Sequence, residues 1–137
     1  MLRGDNVSRN AGSKIGCKKR PWSGVFAVSR FAGGEIIETA PIILITATEW
    51  PHIEPTVLAL YIYNFGPTAD EEHAAIALGY GSLYNHSYEP NAKYIKNWDE
   101  QVIRLIAVRD IQPGEEITIN YNGSPADQTP IWFEGVE

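Results

Sequence analysis

The sequence predicts one mainly β domain with little helix. Its 137 residues lie in the usual size range of a single domain, and 44% of them are hydrophobic, which is enough to form one core. The apolar, partly β-branched runs are short, and turns containing glycine or proline separate them. Only one segment has apolar side chains at helical spacing. Many short strands therefore make up most of the predicted structure.

The predicted strands are defined by apolar or β-branched composition and by the turns that bound them. Residues 24–28 form the first such run, which ends at the glycine turn 32–34. Asn97-Trp98-Asp99 and Gln112-Pro113-Gly114 separate the last three runs. In chain order, the β-like runs are 24–28, 35–39, 41–46, 74–78, 92–96, 102–108 and 116–120.

The one helical candidate spans Pro55 to Phe65. Its apolar side chains recur at three- and four-residue spacing, at Leu58, Tyr61, Ile62 and Phe65. Pro55 lies near the start, where a helix tolerates proline, and Gly66-Pro67 would end it. We therefore expect one short helix.

Charge divides the chain into a basic beginning and an acidic remainder. The formal net charge is −6, but residues 1–20 hold six basic and one acidic residue (+5), whereas residues 21–137 hold five basic and sixteen acidic ones (−11). Residues 1–20 have few large apolar groups, which predicts a flexible basic tail. Residues 21–123 are predicted to form the folded domain. Residues 124–137, which contain the pair Trp132-Phe133, are predicted to form a lid or docking tail.

The acidic remainder argues against direct nucleic-acid binding by the core. A duplex is bound by Lys and Arg clustered on one face, and residues 21–137 contain only five such side chains. An acidic surface favours a cationic partner instead.

Cysteine and histidine usage bears on metal sites and on the compartment. Cys17 is the single cysteine, so neither an internal disulfide nor a multi-cysteine zinc site can form, and the three histidines lack a short paired spacing. We predict no metal and an intracellular location, cytoplasm or nucleus. Apolar runs stay far below the roughly 18 residues that span a bilayer, so no membrane association is expected.

Residues 85–91 (Asn-His-Ser-Tyr-Glu-Pro-Asn) form the densest polar cluster. The side chains of Asn85 and His86 offer donors and acceptors in fixed planes, and Pro90 restrains the backbone, so the cluster is suited to gripping a polar ligand. The alternative is an ordinary polar turn, because these residue types are common turn formers.

Two further segments carry possible chemistry. Residues 113–121 form a turn and an alternating strand that ends on Tyr121, whose hydroxyl is either a donor or acid/base group at a pocket or a polar tip at the rim of the core. Residues 23–27 contain Gly24, which permits close approach of the backbone to a ligand, although a single glycine does not identify a site.

Taken in this order, the three clusters resemble the SET domain of protein lysine methyltransferases. Residues 23–27 resemble the family's opening cofactor loop, Asn85-His86-Ser87 with Pro90-Asn91 resembles its Asn-His-Ser-x-x-Pro-Asn signature, and residues 114–121 resemble its closing motif. The likeness runs from about Trp22 to Tyr121 and is strongest to compact single-domain members. Trp22 replaces the first glycine of the family's Gly-x-Gly, and Asn120 stands where many members have Asp.

The resemblance implies a β-clip SET fold of small sheets. In this fold a threaded C-terminal segment brings the clusters 85–91 and 113–121 together. The resemblance also implies S-adenosyl-L-methionine as the cofactor and Tyr121 as the catalytic residue. The cofactor-binding residues carried over are Ser23, Gly24, Val25, Asn85, His86 and Trp132. Those that line the channel for the substrate lysine are Tyr61, Tyr94 and Ile119.

The implied activity is methylation of the side-chain amine of lysine in a protein substrate, either a histone-like tail or another basic segment. The alternative is a catalytically silent SET module that binds a peptide or a partner protein. The resemblance also allows for a homodimer, because compact members of the family dimerise.

Overall fold

The computed structural model describes residues 13–18 and 24–131, and this part of the chain is mainly β, as predicted. Its strands are β1 (Ile15–Lys18), β2 (Gly24–Ala27), β3 (Ile36–Ile45), β4 (Ile62–Phe65), β5 (His73–Ala77), β6 (Asn85–His86), β7 (Ala92–Asn97), β8 (Val102–Ala107) and β9 (Glu116–Ile119). They form a four-stranded sheet in the order β1-β2-β9-β6 and a five-stranded sheet in the order β4-β5-β3-β8-β7.

The longest strand, β3, joins the two runs 35–39 and 41–46 that the sequence analysis separated. Residues 36–41 pair with β8 and residues 42–45 pair with β5, both in antiparallel fashion. Pro41 lies where β3 changes partner, and its carbonyl oxygen accepts a hydrogen bond from the Leu78 N–H (2.8 Å). A proline is tolerated there because the ladder is already interrupted.

The predicted helix is only partly helical. Residues Val57–Tyr61 form a short 3-10 helix, and Trp50–Ile53 form a single α-helical turn, α1, that the sequence analysis did not predict. The helical prediction is wrong for residues 62–65, which form β4. Pairing with β5, which places Ile62 opposite Ile76, outweighs the helical spacing of the apolar side chains.

The basic segment predicted as a flexible tail contains β1. This strand pairs antiparallel with β2 and places Ile15 opposite Ala27. Just before it, the Lys14 ammonium lies 2.7 Å from a carboxylate oxygen of Glu35. The prediction is therefore wrong for residues 14–18, because edge pairing and this ion pair hold them on the domain. The rest of that segment, residues 1–12 and 19–20, lies outside the described residues.

The two sheets share one hydrophobic core. Its fully buried side chains come from both of them, including Val25 and Ile117 in the smaller sheet and Ile103 and Leu105 in the larger one. None of the helices within residues 13–18 and 24–131 is long and apolar enough to cross a membrane.

The pairing of β6 with β9 positions the candidate site. The two strands run parallel, with Asn85 opposite Thr118 and His86 opposite Ile119. Their pairing brings the cluster 85–91 beside the cluster 113–121, although about thirty residues separate them in the chain. The clusters 85–91 and 113–121 therefore lie side by side, as the resemblance implies.

Candidate active site

Asn91 joins the polar cluster to β9 through both ends of its amide group. Its Nδ2 donates to the Glu116 carbonyl (2.8 Å), and its Oδ1 accepts from the Thr118 N–H (2.9 Å). The side chain is buried, with 2% of its surface exposed. Because a buried amide needs partners for both its donor and its acceptor, this arrangement fixes the distance between the cluster and the strand.

Tyr121 follows β9 and is held through its backbone and its hydroxyl. Its N–H donates to Nδ1 of His86 (3.0 Å), and its hydroxyl donates to the Tyr84 carbonyl oxygen (2.7 Å). Burial, followed by the charge of Glu116, raises the pKa of the Tyr121 hydroxyl to about 12. The hydroxyl therefore keeps its proton at neutral pH, and its oxygen retains lone pairs that can accept.

A cavity of about 710 Å³ opens beside Tyr121. Five tyrosines and several aliphatic side chains form part of its wall. The residues of this wall include Tyr61, Tyr63, Tyr84, Tyr94, Ile119 and Tyr121. The Tyr94 hydroxyl donates to the Tyr121 carbonyl oxygen (3.3 Å), so two of these tyrosines are directly linked. The hydroxyl and carbonyl groups of such a wall can orient an amine by hydrogen bonds.

An ion pair lies at the wall of the same cavity. The Lys96 ammonium is 2.6 Å from a Glu71 carboxylate oxygen, and it also donates to the Asn64 carbonyl oxygen (3.0 Å). All three residues line the cavity. Its wall therefore carries one acidic and one basic group that neutralise each other.

A second feature, the close contact around Gly24, lies at the start of β2. A Cβ atom placed on Gly24 would lie 2.5 Å from Oε2 of Glu116 and 2.9 Å from Nδ2 of Asn85. These two side chains are joined by a hydrogen bond from Asn85 Nδ2 to Glu116 Oε2 (2.7 Å). Because these side chains already fill the space, only glycine fits here, and the backbone of β2 meets a polar amide and a carboxylate directly.

The structure brings most of the sequence-predicted residues to these two features. Tyr121, Tyr61, Tyr94 and Ile119 line the cavity, and Gly24 and Asn85 lie at the close contact. The ring of His86 packs against that of Tyr121, with 5.2 Å between centroids. The Val25 side chain is fully buried in the core, so only its backbone can contact a ligand. Ser23 and Trp132 lie outside the described residues.

Three residues of the site were missed by sequence reasoning. Glu116 lies at the close contact, Tyr84 supplies the acceptor for Tyr121, and the Glu38 carboxylate accepts from the Tyr84 hydroxyl (2.9 Å). A carboxylate inside the apolar run of β3 is the one sequence signal that could have drawn attention to Glu38. Within residues 13–18 and 24–131, no three His, Cys, Asp or Glu side chains are grouped so as to hold a metal ion.

Comparison with known proteins identifies the family. A model of the SET domain matches residues 23–122. The chain belongs to the SET domain family. A histone-lysine N-methyltransferase of Schizosaccharomyces pombe, specific for lysine 37 of histone H3, is 31% identical over 117 residues, which are 85% of this chain and 73% of the relative.

Solved structures show the same SET fold. A crystal structure of a candidate histone methyltransferase from Plasmodium falciparum is 33% identical, with a TM-score of 0.63, and the match covers 81% of this chain and 99% of that one. The ctPRC2 complex bound to S-adenosylmethionine matches at 20% identity with a TM-score of 0.59, over 84% of this chain and 14% of the other. This second likeness concerns the fold alone.

Membership of the SET family makes this chain a protein-lysine N-methyltransferase that uses S-adenosyl-L-methionine. At the close contact, the Asn85 amide and the Glu116 carboxylate are hydrogen-bonded to each other beside the backbone of Gly24. Amide and carboxylate groups are of the kind that could hold such a cofactor, which carries an ammonium, a carboxylate and two ribose hydroxyls.

Proposed function

We propose that this SET domain methylates the side-chain amine of a lysine within a basic, histone-tail-like protein segment. The acidic balance of residues 21–137, at −11, favours association with a cationic segment, mainly by raising the association rate at low salt. The Schizosaccharomyces pombe relative, named for lysine 37 of histone H3, supports a histone tail as the first substrate to test.

The hydroxyl of Tyr121 is the observation that carries the proposal. Tyr121 lines the cavity, and its hydroxyl proton is engaged by the Tyr84 carbonyl oxygen at 2.7 Å. The oxygen can therefore only accept from a group in the cavity, which suits an amine N–H or the weakly polar C–H of a transferring methyl group. We assign Tyr121 as the catalytic residue, acting through alignment of the amine and not as a nucleophile.

The other assigned residues bind the cofactor near the close contact at Gly24 or line the cavity beside Tyr121. Bound S-adenosyl-L-methionine supplies a methyl group activated by a sulfonium. Gly24 and Val25 through their backbone, with Asn85 and His86, bind this cofactor in the proposal, and Ser23 and Trp132 are assigned to it by resemblance alone. Tyr61, Tyr94 and Ile119 form the lysine channel.

The substrate amine must lose a proton before it can accept a methyl group. A lysine of ordinary pKa about 10.4 costs roughly 4 to 5 kcal/mol to neutralise at pH 7. Transfer into a channel lined by tyrosine rings and Ile119 lowers this cost, because partial desolvation disfavours the ammonium form.

The experiment supplies methyl-labelled cofactor and a histone H3 tail peptide to the full chain and locates the label by mass spectrometry. A matched peptide in which the labelled lysine is replaced by arginine is the control, since it keeps the charge but offers no acceptor. We expect label on one lysine of the first peptide and none at that position in the second. Absence of label from histone peptides and from other basic proteins would favour the catalytically silent module.

The remaining properties of the protein stay predictions. An intracellular location agrees with a histone-type substrate. Homodimer formation and the lack of direct nucleic-acid binding by the core can be measured in the same preparations, by sedimentation and by duplex titration.

A further inference from the structure

We propose that Glu38 is a positioning residue, which holds the carbonyl of Tyr84 in place as the acceptor for the catalytic hydroxyl. The inference rests on the proposed role of Tyr121. Glu38 lies on β3 and is not among the residues that line the cavity, so it would act without touching the substrate.

A break in the strand register accompanies the inward placement of Glu38. The pairing of β3 with β8 shifts between Ile36 and Glu38, which marks a bulge or local irregularity. Bulges redirect a side chain relative to the regular alternation of a strand and are common near active sites. The Glu38 carboxylate is consequently partly buried, and this burial raises its pKa.

The carboxylate binds both ends of one turn. Oε2 accepts from the Tyr80 N–H (2.9 Å), and Oε1 accepts from the Tyr84 hydroxyl (2.9 Å). Burial first, and then the charge of Glu38, keeps the pKa of Tyr84 well above its ordinary value, so the phenol retains its proton. A hydroxyl that donates to a carboxylate forms a stronger bond than one between neutral groups.

The turn over residues 79–84 is adapted to this contact. Gly79 has a φ of 64°, and a Cβ at that position would collide with Oε2 of Glu38. A Cβ on Gly81 would lie 2.5 Å from the Ala77 Cβ, so the turn packs directly against β5. The Tyr63 hydroxyl also donates to the Gly81 carbonyl oxygen (2.8 Å), which leaves the turn little freedom.

The chain of contacts ends at the reaction centre. Tyr84 is almost fully buried and immediately precedes β6, and its carbonyl accepts the Tyr121 hydroxyl at 2.7 Å. If the Tyr84 side chain loses its anchor, this carbonyl can shift and the Tyr121 hydroxyl loses its fixed direction. Because alignment errors of about 1 Å can lower a rate by up to a hundredfold, the effect is expected in kcat.

The test measures steady-state kinetics of Glu38→Gln and Tyr84→Phe in the full chain, alone and combined. We expect each variant to lower kcat about tenfold while KM for peptide and cofactor changes less than about twofold. The double variant should be only slightly slower than either single one, because both weaken the same contact between Glu38 and Tyr84.

Measuring Glu38→Gln in a Tyr121→Phe background distinguishes positioning of the Tyr121 hydroxyl from a merely structural role of Glu38. Without the Tyr121 hydroxyl there is nothing left to direct, so Glu38→Gln should change the residual rate by less than about twofold. An equal loss in both backgrounds would overturn the proposal, as would a wild-type kcat for Glu38→Gln or for Tyr84→Phe.

Glu49→Gln is the matched control. The Glu49 carboxylate likewise accepts one backbone N–H and one hydroxyl, both from Thr46 at 3.0 Å, but it is exposed and does not line the cavity. We expect it to keep the wild-type kcat. If the wild-type chain and this control both fail to methylate any lysine, the proposed function itself is wrong and this inference falls with it.

Discussion

Protonation of single side chains decides how the site works at neutral pH. Burial raises the pKa of the Tyr121 hydroxyl to about 12. Burial, followed by the charge of Glu71, raises the pKa of the Tyr94 hydroxyl to about 12 as well. Both hydroxyls therefore stay protonated across the range in which an assay is run. The titrating group that remains on the reaction path is the amine of the substrate lysine, which must be neutral to react.

Methyl transfer is therefore expected to become faster as the pH rises. Below the pKa of the free peptide amine, about 10.4, kcat/KM for the peptide should increase about tenfold per pH unit, because the neutral fraction increases by that factor. Ionisation of Tyr121 should not reverse the rise until well above pH 10. The measurement is initial rate between pH 7 and pH 9.5 at saturating cofactor, with thermal unfolding followed at each pH. A flat profile in a folded protein would contradict it.

Single residues also show which parts of the site can be predicted from the sequence alone. Tyr121 was proposed from the motif that it ends, and Tyr94 and Tyr61 were proposed from the resemblance to the SET family. Glu38 and Tyr84 were not, since their roles depend on a contact between positions 46 residues apart. A register shift in β3 and a buried turn create that contact, and neither is visible in the order of residue types.

At the scale of elements, Asn91 links the cluster after β6 to β9. Its amide satisfies one N–H and one C=O of β9, both beside the fully buried Ile117. The strand therefore depends on a side chain for two hydrogen bonds that a neighbouring strand would otherwise supply.

We expect Asn91→Ala to lower the free energy of unfolding by about 2 to 4 kcal/mol, because it removes the side chain that pairs with two partly buried backbone groups of β9. The matched control is Asn97→Ala, whose side chain accepts only the Glu100 N–H in an exposed turn. This control should lose less than about 1 kcal/mol. Chemical denaturation measures both values. Equal losses would show that Asn91 does not anchor β9.

Element types were predicted well where periodicity and turns agreed. The runs that became β7, β8 and β9 were found to within about two residues, because a turn bounds each of them. The segment 55–65 was half wrong, since its apolar spacing suits a helix while β5 offers a pairing edge. Such a choice depends on a partner strand, which the local sequence does not contain.

At the scale of the whole molecule, exposed carboxylates couple stability to pH. The Lys14 ammonium holds the pKa of Glu35 below 4.5, the Gly33 N–H together with Arg30 holds that of Asp110 below 3.8, and the Gln112 N–H holds that of Glu115 below 4.5. A carboxyl whose pKa is lower in the folded state stabilises the fold above its unfolded pKa and loses this effect as pH falls through its folded value. Glu38, whose pKa is raised, acts in the opposite direction.

Hydrogen bonds from Thr46 and Thr129 lower the pKa of Glu49 and Asp127 as well. Because five carboxyls have a lowered pKa and only Glu38, among the described carboxyls with a clear shift, has a raised one, the fold is predicted to be less stable in acid. The free energy of unfolding should be steady near neutral pH and should fall as pH drops below about 4.5. Urea denaturation between pH 7 and pH 3 measures it. Glu35→Gln should show a smaller acid-induced loss, because its contribution is absent at every pH. A free energy of unfolding that rises towards pH 3 would contradict the prediction.

The central claim, that the Tyr121 hydroxyl aligns the substrate amine, is tested most directly by Tyr121→Phe in single-turnover methyl transfer to a histone-tail peptide. The variant should fold, bind S-adenosyl-L-methionine with a Kd within about twofold of wild type by calorimetry, and transfer methyl at least about a hundredfold more slowly. A folded, cofactor-bound variant that transfers methyl at the wild-type rate would contradict the claim.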